Sequence, residues 1–177
     1  VSATSLLRRL ALPLALALSL GCQDDPEPAS GGLDTRLETH AVALDRPSAA
    51  GLAYLDHALA AQREADALGE PLARAERLLA ALERPPPAGD GAAEVAELGL
   101  LARASESLLA AGADARVVEL LAERLPTARS LPIDRAAARC LVALGDAAAR
   151  SGDHALAMGS YARALDMLTL LMEEVEP

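Results

Sequence analysis

The chain has 177 residues, a formal net charge of −10, 52% hydrophobic residues and 1% aromatic residues, with no Phe and no Trp. That length suits one domain with a sizeable core plus appendages, and so acidic a chain speaks against nucleic acid as a partner, because such binding rests on basic residues neutralising phosphates. Ala and Leu must build the core; both favour helix while strand formers are scarce, so the expected class is all-α.

The first predicted element is a leader over residues 1–21. A short polar and basic segment ending in Arg8-Arg9 runs into the apolar stretch Leu10–Leu20, followed by Gly21-Cys22, which is the three-part layout of a secretory signal. As a helix the apolar stretch would rise roughly 16 Å, well short of a hydrocarbon layer of roughly 30 Å, so a removable leader fits better than a spanning anchor. The ending Leu20-Gly21-Cys22 resembles the lipobox of bacterial lipoproteins, with Ser19 standing where that pattern has a branched aliphatic residue. The resemblance implies cleavage before Cys22, lipid on its thiol and a membrane anchor in the cell envelope. In similar lipoproteins an aspartate directly after the cysteine retains the protein at the inner membrane; Gln23 there implies the outer membrane, although Asp24 and Asp25 follow. With Cys22 lipidated, Cys140 has no intramolecular partner and a disulfide framework is excluded.

Residues 22–45 are expected to be a flexible tether. Gln23–Gly32 is rich in acids, Pro and Gly and cannot bury enough apolar surface to fold. Leu33, Leu37, Ala41 and Leu44 have rough helical spacing, so part of the stretch is alternatively a segment that docks on the domain.

From residue 46 to 177 the pattern predicts three helical hairpins. Their turns are Leu68-Gly69-Glu70-Pro71, Ala111-Gly112-Ala113-Asp114 and Ser151-Gly152-Asp153: a glycine takes the left-handed position that ends one helix, and an acid or proline suits the first turn of the next. The glycines recur at roughly 40 residues, as in helical repeat arrays. Apolar stripes at spacings of three and four run through Tyr54, Ala58, Ala61, Ala65 and Leu68, then Leu72, Ala75, Leu79 and Leu82, in the first hairpin. The second has Val95, Leu98, Ala102 and Leu109, then Val118, Leu121 and Leu125. The third has Ile133, Ala137, Cys140, Leu141, Leu144 and Ala148, then Ala157, Tyr161, Leu165, Leu168 and Met172. Pro85-Pro86-Pro87 separates the first hairpin from the second, and Pro126 with Pro132 the second from the third. The final helix, Asp153 to about Glu174, carries more large apolar residues near its end than one face can bury. Leu170 and Leu171, or one of them with Met172, are therefore expected in an exposed patch for a partner or a second copy, unless the segment before Asp45 folds over them.

The third hairpin also carries a motif. Leu141, Leu144-Gly145 and Ala148, then Ala157, Tyr161 and Ala164-Leu165, resemble a tetratricopeptide repeat, a helical pair of about 34 residues. Gly145 and Ala157 are small where two helices cross closely, and Tyr161 fills the space beside them. The resemblance implies a short α-solenoid of about three hairpins, with a groove faced by Arg139, Val142, Asp146, Ala149 and Arg150. Arg139, Asp146 and Arg150 are the candidate partner-binding residues.

No catalytic or metal-binding constellation stands out. His40, His57 and His154 are scattered, Cys140 lies on an apolar stripe, and no glycine-rich phosphate loop is present. No cofactor and no metal are expected. The leading functional expectation is a lipid-anchored scaffold or adaptor that holds a protein or peptide in a helical-repeat groove. The competing readings are a structural lipoprotein that self-associates through its last helix, and an enzyme without a recognisable motif.

Overall fold

Helix boundaries follow the capping chemistry of the chain. The computed structural model describes residues 39–40, 46–125 and 131–173, all within one compact unit spanning Thr35–Pro177; the leader, Cys22 and the rest of the expected tether lie outside the described residues. Ser48 starts α1 (Ala49–Asp66), its hydroxyl accepting from the Gly51 N–H at 2.9 Å. Pro71 opens α2 (Pro71–Leu82), at a position where no intrahelical N–H is needed. Asp90 caps α3 (Gly91–Ala110) and Asp134 caps α5 (Arg135–Arg150), accepting from Ala93 at 3.1 Å and Ala136 at 2.6 Å. The acid Asp114 begins α4 (Asp114–Arg124), and before α6 (His154–Glu173) Asp153 accepts from the Leu156 N–H at 3.0 Å.

The described residues are helical almost throughout, and the fold is all-α. The exception is a two-residue parallel bridge between β1 (Thr39–His40) and β2 (Leu131–Pro132), with Thr39 opposite Leu131 and His40 opposite Pro132. Within the expected tether, these two residues are therefore docked beside the entry to α5. Among the described residues no helix is long and apolar enough to cross a membrane.

Two of the three expected glycine turns form as read. Gly112 and Gly152 have φ of 73° and 83°, and the N–H groups of Ala113 and Asp153 reach back to the carbonyls of Leu108 and Ala148 at 2.9 Å, which satisfies carbonyls left over at the helix end. The first turn differs. Gly69 is not left-handed, because Glu70 precedes a proline and leaves the turn extended, at φ −82° and ψ 127°.

Helix α3 packs against both α1 and α2, α5 packs against both α3 and α4, and α6 packs against α5. The central helices are accordingly buried on several sides. Ten residues of α5 are buried, six of them alanine with Gly145 besides, so its neighbours approach closely and packing relies on small side chains. Leu78, Leu100, Leu108, Leu121, Leu141 and Met167 are among the large fully buried groups, each contributing about 1.5–3 kcal/mol by burial.

Several stripe residues fall elsewhere than expected. Leu68 and Leu72 are exposed beside the open first turn, and Leu78 fills the core in their place. In α4 Val117 is buried while Val118 is half-buried. The largest departure is in α6, where Ala157, Ser160, Ala164 and Met167 form the buried seam. Leu165 is 66% exposed, Leu168 41% and Met172 73%. Both seams have helical spacing and lie side by side; the surface of α5 is lined with alanine and glycine, and it pairs with the seam of smaller residues. The expected exposed patch is present with a different membership, since Leu170 is half-buried and Leu171 is half-buried against the core.

Candidate functional site

The outward face of α5, left uncovered by α3 and α4, forms the floor of an open groove of about 900 Å³. Ala138 and Ala143 lie at its base and Val142, 39% exposed, projects from the middle. Leu168, Leu171 and Met172 of α6 make one wall, and Leu109 with Glu106 of α3 the other. The lining is mostly apolar, and the charged groups stand at its rim. A shallower hollow of about 380 Å³ continues across α1, α3 and the start of α5, sharing Arg135 and Arg139 with the larger groove.

Two polar arrangements fix the rim. Arg139 of α5 donates to Glu106 of α3 through Nε at 2.8 Å and Nη2 at 2.6 Å, a bidentate pair that ties two helices and raises the guanidinium pKa above its ordinary value. One turn beyond Val142, the half-buried Asp146 accepts from the Tyr161 hydroxyl at 2.7 Å. The carboxylate holds that proton on the phenol, raising the Tyr161 pKa. Tyr161 reaches this point because Gly145 has no side chain: a Cβ there would stand 2.5 Å from Cε1 and 2.7 Å from Cδ1 of the ring.

Arg139, Val142 and Asp146 thus come together in one groove. Arg150 and Ala149 do not line it. The Arg150 Nη1 turns toward the Leu109 carbonyl at 3.3 Å and Asp114 at 3.4 Å, because a guanidinium in the last turn of α5 lies beside the carbonyl end of α3 and the first acid of α4. Met172 was expected in an exposed patch of α6, whereas Arg135 and Glu106 escaped sequence reasoning and Leu168 was expected only as part of the apolar stripe. The available signal was the width of the apolar face of α6, which exceeds what one neighbour covers.

Chemically the groove offers surface and charge. Its lining includes no His, Ser, Cys or Tyr, and no cluster of His, Cys, Asp and Glu that could hold a metal occurs among the described residues. Cys140 is fully buried with Sγ 3.7 Å from the Leu98 carbonyl, and burial pushes its pKa up to about 12, so its thiol stays protonated and unreactive. His57 Nε2 lies 3.1 Å from the Ala81 carbonyl, and His154 is exposed. The chain matches no family model, and no curated protein and no solved structure shows significant similarity to it.

Proposed function

We propose that the chain is a lipid-anchored protein of the bacterial cell envelope, held at Cys22 and facing the periplasm from the outer membrane. Its helical domain acts as an interaction module. The domain is read as a short tetratricopeptide-like solenoid, a reading supported by the recurrence of helical hairpins, by the packing of each odd-numbered helix on the two helices before it and by the Gly145–Tyr161 crossing. The observation that carries the functional reading is the groove itself: an apolar floor of about 900 Å³ bounded by Arg139 and Asp146. Apolar area supplies affinity for a helical or extended peptide, and the rim charges fix its orientation. An apolar lining with charged groups at its rim suits the binding of a partner.

The test uses the full chain in its own envelope. A partner recovered with the parent protein should be lost with Val142→Glu, which places a charge on the groove floor at an already exposed position and leaves helix content unchanged by circular dichroism. Recovery of the same species with both proteins would overturn the reading.

A further inference from the structure

The open groove is a seat of the kind that the chain fills from within at two earlier places. Helix α3 lies on α1 and α2, and α5 lies on α3 and α4, whereas among the described residues no helix lies on both α5 and α6. Counted back from the turn glycines Gly112 and Gly152, the surface of α3 that α5 covers corresponds to the surface of α5 that is bare. Leu98, whose carbonyl is 3.7 Å from the Cys140 Sγ, corresponds to Ala138. Glu106, which takes Arg139, corresponds to Asp146. Val95, which borders one hollow with Asp134, corresponds to Arg135. Ala138, Asp146 and Arg135 all line the groove. In the filled seat Cys140 lies by Leu98 and Arg150 by Leu109, so α5 runs in the same direction as α3.

The filled seats show what an occupant needs. Arg103 of α3 pairs with Asp66 of α1, and Arg139 of α5 pairs with Glu106 of α3 at 2.6 Å. Each arginine is followed by a small, fully buried residue, Ala104 in one helix and Cys140 in the other. The small residue lets two backbones approach closely, and the guanidinium reaches past the contact to the acid. The open seat has the acid without the arginine. Asp146 accepts from the Tyr161 hydroxyl through Oδ1, and it forms no ion pair among the described residues. Arg135, exposed at the other end of the groove, likewise forms none among them.

We infer that the groove takes an amphipathic helix of a partner protein, lying parallel to α5 and built as α5 is built. It carries an arginine for Asp146, a small residue directly after that arginine to lie on the alanine floor, and an acid roughly one to two turns earlier for Arg135. The bare charges of the seat are opposite in sign and stand at its two ends, so an acid-then-arginine helix meets both only in the parallel direction. A folded second copy cannot offer its own α5, because that helix is buried among α3, α4 and α6. The inference rests on the reading of the groove as an interaction surface, and it names the chemistry of what fills it.

A synthetic peptide of residues 134–151 with Cys140→Ala is such a helix, and fluorescence anisotropy follows its binding to the full chain in a non-ionic detergent. The parent should bind it saturably. Asp146→Arg in the protein, or Arg139→Glu in the peptide, should weaken binding by about tenfold, and the two changes together should restore it. A peptide of residues 49–66, which as α1 covers no earlier helix, should bind at least about tenfold more weakly than the α5 peptide. Absence of saturable binding, equal binding of the two peptides, or an Asp146→Arg protein that does not prefer the Arg139→Glu peptide would each overturn the inference. An envelope partner lost on Val142→Glu, from a chain that binds no α5 peptide, would overturn it while leaving the groove as a binding surface.

Discussion

The ring of Tyr161 occupies the space that any side chain at Gly145 would need, and its hydroxyl reaches on to Asp146 at 2.7 Å. A single residue of α6 therefore sets both the closeness of the α5–α6 crossing and the orientation of a carboxylate on the groove. Gly145→Ala is expected to destabilise the domain by about 1–3 kcal/mol through overpacking. At an exposed helical site the same change would stabilise by up to about 1 kcal/mol, so the sign discriminates. Urea unfolding measures it, and a variant at or above the parent in stability would contradict the close crossing.

Alkaline pH should unfold the protein through groups that are buried in their protonated forms. Tyr54 is fully buried with its hydroxyl unpaired among the described residues, and burial pushes its pKa from 10.0 to about 12. Between those values the unfolded phenol loses its proton while the folded one keeps it, so stability falls as pH rises. Cys140 acts in the same direction from 9.0 to about 12. Tyr54→Phe should be neutral or stabilising by up to about 1 kcal/mol near neutrality, since it removes an unpaired buried hydroxyl. Thermal melts from pH 7 upward should show a shallower alkaline decline for this variant than for the parent.

The starts of α1 and α3 are joined by one carboxylate. Asp90 caps its own helix and accepts from the Ser48 N–H at 3.0 Å and hydroxyl at 2.8 Å, and Gly51 lacks the Cβ that would collide with it. The Ser48 hydroxyl, followed by backbone N–H donors, lowers the Asp90 pKa below 3.8. Stability from this link is present above the ordinary carboxylate value and is lost as pH falls through the lowered one. Asp90→Asn should lower the melting temperature at pH 6, and its deficit relative to the parent should shrink as the solution is acidified. An unchanged deficit down to pH 2 would argue against the charged cap.

The proposed anchor is checked separately from the fold. Cys22→Ala is expected to abolish labelling by a radioactive or clickable fatty acid and to move the protein into a soluble fraction. Full-length protein of that variant remaining with the membrane would mean that the leader is retained as an anchor.

Hairpin turns were legible because their chemistry is local. A glycine with positive φ followed by an acid identifies the Gly112 and Gly152 turns without tertiary information, while Gly69 misled because Pro71 forces an extended residue before it. Arg139, Val142 and Asp146, which the tetratricopeptide resemblance implied on one face of α5, do line a common groove. Arg150 does not, since its direction depends on the carbonyl of Leu109 in another helix. The seam of α6 was illegible for a similar reason. Hydrophobicity ranks Leu165, Leu168 and Met172 above Ala157, Ser160 and Ala164, yet the alanine and glycine surface of α5 pairs with the smaller set. Which of two adjacent seams is buried is decided by the partner helix, and the groove exists because the larger seam was left out.

The most direct test of the groove as the working surface is a photo-crosslinking residue placed at Val142, compared with one at Ala73 on the exposed side of α2, in the full chain within intact envelopes. An adduct of one defined mass is expected at Val142, absent at Ala73 and lost when Met172→Glu is added. No adduct at Val142, or the same adducts from both positions, would contradict the assignment of this groove as a specific binding surface.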